Sequence, residues 1–151
     1  MKSAASIAVA VLAGVLATSA AAQSFAKPED AIKYRRGALN VLGAHFSALG
    51  AMANGRAPFD AQAAARHADV ITLVSTLPWS GFAPGTEKGD TRAQPDIWVD
   101  QDKFKQASER MQGEVRKLAA AAKTGDLDKL KAAFGPAAAS CKACHDDFRR
   151  S

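Results

Sequence analysis

The residues with the clearest chemistry form a short run near the end of the chain, Cys141-Lys142-Ala143-Cys144-His145. Positions three and four apart share one face of a helix. Cys141 and Cys144 can therefore bond the two vinyl groups along one edge of a haem, and His145 can reach over the ring toward the iron. The spacing C-x-x-C-H is that of c-type haem attachment. The sequence thus predicts one covalently attached haem c per chain, with His145 as the metal ligand.

Other interpretations of this pair are weaker. A thioredoxin-like redox pair needs a strand–helix context and a cysteine at a helix N-terminus, whereas this pair lies near the end of a predicted helix. A structural zinc site needs about four protein ligands, and no second cysteine–histidine pair is present. A disulfide between such close neighbours would constrain the unfolded chain little. A chance occurrence in a structural helix is the remaining alternative.

The helix that must carry these residues is predicted over 127–149, where apolar residues recur in steps of three and four. Its inward stripe is Leu127, Leu130, Phe134, Ala137, Cys141, Cys144 and Phe148. Pro136 lies inside this pattern and lacks a backbone donor, which predicts a kink or break there.

Three further helices are predicted over 28–54, 60–77 and 101–123. Pro28 suits a first helical turn and Asp60 suits an N-cap. The connection over 78–95 is rich in turn residues but carries Trp79 and Phe82, whose rings we expect to cover an apolar surface. No strand pattern or repeat is present. The fold class is therefore all-α, an antiparallel up-down-up-down four-helix bundle with the haem near the C-terminal helix.

Residues 1–22 have the pattern of a secretory signal peptide: Lys2, an apolar run over 7–16, and Ala20-Ala21-Ala22 as the cleavage pattern. A bilayer span needs roughly 20 apolar residues, so a retained membrane anchor is the less favoured alternative. We expect a mature chain of residues 23–151 with no membrane span, located in the periplasm, where c-type haem is attached.

The charge of the chain excludes one function class and suggests a kind of partner. The sequence has 20 Lys and Arg against 15 Asp and Glu, a formal net charge of +5. No arginine-rich tract or repeated basic–aromatic pattern is present, so nucleic-acid binding is not predicted. A mildly basic surface can still steer acidic redox partner proteins.

The mature chain resembles the cytochrome c′ family, c-type cytochromes built as four-helix bundles. The residues that carry the resemblance are Phe25-Ala26-Lys27-Pro28-Glu29-Asp30-Ala31, Tyr34-Arg35-Arg36, Leu77-Pro78-Trp79, Phe82, Gly85-Thr86 and the run from Cys141 to Arg149. The resemblance implies a periplasmic homodimer joined through the first two helices. It also implies a five-coordinate, high-spin iron that binds nitric oxide and carbon monoxide, with electron transfer, nitric oxide handling or both as the physiological role.

The resemblance also implies roles around the iron. Leu39 would be the apolar residue on the sixth-ligand side, Trp79 and Phe82 would wall the distal pocket, and Arg149 would flank the axial histidine.

For the haem edge the resemblance implies that Arg35 and Arg36 lie near the propionates and that Thr86 and Asp90 touch the haem from the loop. Two positions depart from the family pattern: Arg36 stands where glutamine is common, and Pro136 stands in the haem-bearing helix.

A low-spin, six-coordinate electron carrier with no gas-binding role is the alternative, and it needs a methionine or a second histidine as sixth ligand. With Leu39 placed over the iron by resemblance, His45 lies about 240° around the helix and Met52 roughly 20 Å along it. His67 is interpreted as a surface or interface residue and Met111 as core. No histidine lies where a peroxidase needs one, so no enzyme activity and no catalytic residue are predicted.

Overall fold

The computed structural model describes residues 25–150; the predicted signal peptide over 1–22 and its cleavage site lie outside this range. The helices are α1 (Pro28–Ala53), α2 (Ala61–Val74), α3 (Asp96–Val99), α4 (Gln101–Ala122) and α5 (Leu127–Phe148), with a 3-10 helix at Pro78–Phe82. Within the described residues the only strand-like pairing is an isolated bridge between Ala93 and Arg149.

The four long helices form the bundle. Helix α1 packs against α2 and α5, and α4 packs against α2 and α5, so the four helices close a ring around one core. Short connections join α1 to α2 and α4 to α5, as antiparallel neighbours require. The predicted four-helix bundle is confirmed. Within residues 25–150 no helix combines the length and apolar character that crossing a bilayer needs.

Helix limits follow from local chemistry. Asp60 and Asp126 cap α2 and α5, each accepting two backbone N–H bonds through Oδ1. Helix α2 ends at Val74, three residues before its predicted end. The reason is that Pro78 has no N–H to donate to the carbonyl of Val74, so the chain turns there into the 3-10 helix.

Helix α5 runs without a break through Pro136, so the break considered from the sequence does not occur. The proline removes the N–H that would bond the carbonyl of Ala132. Both residues are exposed, so water can satisfy that carbonyl. The haem-bearing residues therefore lie on the same helix as the residues that anchor it in the core.

Two apolar clusters stabilise the fold: the main core packs the four long helices together, and a smaller cluster packs the segment between α2 and α4 against α5. Leu49, Ile71, Leu118 and Leu130 are fully buried at the centre of the bundle. The connecting segment (residues 75–100) contributes Ala93 and Ile97 to a smaller cluster with Phe148. Packing on α5 thus fixes this segment beside the attachment cysteines.

Candidate haem site

A cavity of about 690 Å³ opens between α1, α4, α5 and the connecting segment. Its volume lies in the range of about 300–1,000 Å³ that is usual for ligand pockets. Of the eleven site residues predicted from the sequence, all except Thr86 line it. These ten residues are Arg35, Arg36, Leu39, Trp79, Phe82, Asp90, Cys141, Cys144, His145 and Arg149.

The two cysteines lie on the cavity side of α5 as free, half-buried thiols. Burial raises the pKa of both thiols, that of Cys144 to about 11. A redox-active cysteine pair needs a lowered pKa, so this environment disfavours the thioredoxin-like interpretation.

His145 follows the cysteines at the same wall of the cavity. Burial, together with the positive charge of Arg149, lowers the pKa of His145. The neutral imidazole, which is the form that binds metals, is therefore favoured.

The wall contributed by α1 carries Leu39, Gly43 and Phe46, at spacings of four and three residues that place them on one face. Leu39 and Phe46 are partly buried against the bundle core. Gly43 has open space where a side chain would begin. The helical period of α1, applied from Leu39, could have found Gly43 and Phe46 from the sequence.

Arg35 is buried, with only 1% of its surface exposed. Its Nη1 donates to Gly81 O at 2.7 Å and to Thr86 Oγ1 at 2.8 Å. Its Nη2 donates to Thr86 O at 2.8 Å and to Thr91 Oγ1 at 2.9 Å. Four of the five donors of this guanidinium are therefore engaged by the connecting segment. Only Nε remains to serve a haem propionate without rearrangement.

Thr86 has a different position from the one the resemblance implies. It is 3% exposed, lies behind the cavity wall and accepts from Arg35. Its own hydroxyl donates to Ala83 O at 2.7 Å. Of the two loop residues that the resemblance implies, Asp90 reaches the cavity, whereas Thr86 supports the site through Arg35.

The aromatic residues of the connecting segment cover an apolar surface, as expected. Trp79 donates from Nε1 to Ser75 O at 2.8 Å and its ring meets Phe104 at 5.8 Å. The Phe82 ring lies 4.9 Å from Phe104 and 4.5 Å from Arg35 Cζ. Both aromatic rings are thus fixed at the cavity wall.

The charged residues of the cavity are mostly basic: Arg35, Arg36, Arg92 and Arg149 against one acid, Asp90. Arg36 Nη1 pairs with the Asp90 carboxylate. The bridge between Ala93 and Arg149, with Arg150 N donating to Arg92 O at 2.8 Å, joins the loop to the end of α5. This excess of arginine suits a ligand that carries carboxylates.

Several lining residues were not identified from the sequence. Met111 and Val115 lie on the predicted inner face of α4, so its periodicity could have indicated them. Arg92, Ala93 and Ile97 come from the connecting segment, where no local pattern reports proximity to α5. Met52, His45 and His67 do not line the cavity.

The residues present fit haem c. Two free cysteines and a histidine occupy one wall, apolar and aromatic side chains occupy the others, and basic residues can meet two propionates. The cysteines are the only two in the sequence.

Comparison with known proteins gives the same assignment. The family model described as Cytochrome C′ matches residues 30–149. Cytochrome c′ from Alcaligenes xylosoxydans xylosoxydans is 51% identical over 126 residues, covering 83% of this chain and 98% of that protein. Cytochrome c′ from Rubrivivax gelatinosus is 46% identical over 126 residues, with the same coverage.

Solved structures agree in fold. The crystal structure of cytochrome c′ from Rubrivivax gelatinosus matches with a TM-score of 0.81 at 45% identity, covering 84% of this chain and all of that one. A nitric oxide complex of a leucine-to-alanine mutant of cytochrome c prime from Alcaligenes xylosoxidans matches with a TM-score of 0.79 at 48% identity, covering 85% of this chain and 99% of that one. Sequence, bundle and cavity together place the chain in the cytochrome c′ family, whose cofactor is haem c attached covalently, here through Cys141 and Cys144.

Proposed function

We propose that this protein is a periplasmic mono-haem cytochrome with a five-coordinate, high-spin iron that serves nitric oxide binding, electron transfer or both. One observation carries the proposal. Within the described residues, the cavity has His145 on α5 as its only histidine and the apolar Leu39 on the opposing helix α1. That arrangement would supply one nitrogen ligand to a haem iron and would leave the facing wall apolar.

The residues that line the cavity would each contribute differently to binding the haem and its ligands. The haem, when bound, supplies an iron that can take a diatomic gas or exchange one electron. Cys141 and Cys144 would hold it covalently, and His145 would supply a ring nitrogen. Leu39 would crowd the facing side and offers no hydrogen-bond donor, which would disfavour a ligand that gains from one, such as dioxygen. Arg36, with Arg92 or Arg149, can pair with the propionates.

The relatives support a gas-binding role by what their structures contain. The solved structures of cytochrome c prime from Alcaligenes xylosoxidans include nitric oxide and nitrosyl complexes of several variants. We carry that ligand class to this chain because Leu39 and the C-x-x-C-H run lie around one cavity here.

The position of Met111 keeps the low-spin, six-coordinate electron carrier as a second candidate function. Met111 lines the cavity, and methionine sulfur is a common sixth ligand in electron-carrying cytochromes. Met111 is 5% exposed and packs in the bundle core with Val115 and Leu118. We favour core packing for it, because a coordinating methionine would have to leave those contacts.

The deciding experiment is the visible absorption spectrum of the purified haem protein, ferric and ferrous, before and after addition of carbon monoxide and nitric oxide. We expect a high-spin ferric spectrum and a broad ferrous band that shifts with either gas. A sharp low-spin ferrous band that ignores carbon monoxide would contradict the open iron and favour the electron carrier. Absence of haem would contradict both.

The proposal extends to export and assembly. We expect cleavage after Ala22 and a homodimer formed through α1 and α2, where Val41 and Leu73 are 45% and 65% exposed. Burying these two side chains in an interface would remove apolar surface from water. Intact mass of the secreted protein tests the cleavage. Sedimentation of the wild type beside Leu73→Glu tests the interface, since the charged variant should be monomeric.

A further inference from the structure

His45 on α1 and His67 on α2 form a close pair outside the haem cavity. Their Nδ1 atoms are 2.8 Å apart, and their rings are 4.9 Å apart at an interplanar angle of 62°. Both side chains are half-buried in the single chain. Neither residue lines the cavity, and the proposed function uses neither.

Two Nδ1 atoms at this distance cannot both present bare lone pairs, because these repel each other. Either one Nδ1 carries a proton and donates it to the other in a hydrogen bond, or a cation binds both. Burial lowers the pKa of His67, and the neighbouring His45 and Arg66 lower it further. The neutral form, which is the metal-binding form, is therefore favoured at neutral pH.

The separation of 2.8 Å is compatible with chelation. With metal–nitrogen bonds of about 2.0 Å, two nitrogens at that distance subtend an angle of about 90° at the metal, as in tetragonal Cu(II) and Ni(II) sites. Among the divalent first-row metals, Cu(II) is bound the most tightly by nitrogen ligands.

We infer that His45 and His67 form a two-histidine chelating site for a divalent transition metal, with Cu(II) as the preferred ion. Within residues 25–150 no cluster of three or more histidine, cysteine or acidic side chains surrounds such a site. The remaining coordination positions therefore belong to water or to a small ligand from solution. The bound ion would be exchangeable, unlike the covalently held haem.

The test uses the ferric haem protein, freed of other metals by a chelator and titrated with Cu(II) in the presence of glycine as a competing ligand. Calorimetry should give one Cu(II) per chain. Electron paramagnetic resonance should give a tetragonal copper signal with nitrogen couplings. His67→Asn and His45→Asn should each weaken binding at least about tenfold, and the double variant little further, because one imidazole cannot chelate.

Matched controls separate the chelate from other causes. Arg66→Gln removes a positive charge beside His67 and should tighten binding by about two- to fivefold, the range expected for one exposed charge. The haem spectrum should not change in the histidine variants, because neither side chain lines the cavity. Zn(II) should bind more weakly than Cu(II).

Two results would overturn the inference. One is Cu(II) binding that is equally tight in His45→Asn and His67→Asn, which would place the ion at the amino terminus or another surface group. The other is the absence of saturable binding to the wild type under competition with glycine.

Discussion

Arg35 illustrates how a single side chain positions this site. It is buried, and no carboxylate among residues 25–150 pairs with it directly. Burial lowers its pKa to about 10, although Glu87 opposes that shift. Its planar fork donates to Gly81 and Thr86, while the Phe82 ring lies against its face. Because a lysine could not reproduce the fork or the stacking, Arg35 ties the connecting segment to α1 in a way that is specific to arginine.

At Leu39 the prediction concerns ligand selection. Leu39→Ala should raise carbon monoxide affinity about tenfold, the equivalent of roughly 1.4 kcal/mol of relieved crowding, measured by titration of the ferrous protein. Val41→Ala is the control, because Val41 lies on the same helix but outside the cavity. An unchanged affinity in Leu39→Ala would show that this side chain does not restrict the iron.

At Met111 the prediction separates the two candidate functions. Met111→Leu keeps the volume and removes the sulfur, so it should leave the ferric and ferrous spectra as they are and cost less than about 1.5 kcal/mol of stability. If Met111 were the sixth ligand, the same change would convert a low-spin spectrum to a high-spin one.

Among the elements, the 3-10 helix depends on one close approach to α1. A Cβ at Gly81 would lie 2.8 Å from Ala31 O and 2.8 Å from Arg35 Cβ. Both neighbours belong to the body of α1 and cannot move aside as the end of a flexible side chain could. The glycine is what allows Arg35 to bond Gly81 O.

Gly81→Ala should therefore destabilise the protein by about 1–3 kcal/mol and change the haem environment, measured by chemical unfolding and by visible circular dichroism. Gly37→Ala is the matched control. Gly37 lies on α1 with open space around it, so alanine there should stabilise the helix by about 0.5–1 kcal/mol. Equal effects of the two changes would contradict the packing argument.

The start of α5 has a pH-dependent cap. Backbone N–H bonds, that of Lys129 foremost, lower the pKa of Asp126. The folded pKa is thus below the unfolded value of about 3.9, so the cap contributes fully above about pH 4 and its contribution is lost as the pH falls further.

Asp126→Asn keeps a good N-cap without a titrating group. Its thermal midpoint should lie near that of the wild type at pH 7 and should fall less between pH 5 and pH 3. Asp128→Asn makes the same charge change two residues later, where the side chain accepts no capping bond, and should follow the wild type. Parallel curves for all three proteins would exclude the cap as the cause.

For the molecule as a whole, the cavity is a wide gap in the apolar interior. Its walls include Leu39, Phe46 and Phe82, which a bound haem would cover and which would otherwise meet water. The bundle around the site therefore needs the haem, or it must collapse or fill with water.

A haem-free double variant, Cys141→Ala with Cys144→Ala, should keep most of its helix content but lose cooperative unfolding. We expect a far-ultraviolet spectrum like that of the holoprotein, a weakened near-ultraviolet spectrum and binding of a hydrophobic dye, the signs of a loosely packed state. A cooperative transition at the holoprotein's midpoint would mean that the bundle packs fully without haem.

What the sequence by itself determined rests on local physics. The C-x-x-C-H run, the apolar stripe of α5 and the cap at Asp60 are each decided within a few residues, so the bundle and the cavity wall that carries Cys141, Cys144 and His145 followed from them. Local periodicity also placed Leu39 on a face of α1, although its position over the iron came from the family resemblance.

Only the tertiary structure decided the long-range contacts. Thr86 lies behind Arg35 while Arg92 reaches the cavity, because the path of the connecting segment is set by contacts with α1 and α5 more than 45 residues away in sequence. Pro136 is accommodated because it faces solvent, which its own helix could not reveal. The pairing of His45 with His67 arises for the same reason: the packing of α1 on α2 brings together residues that no local pattern relates.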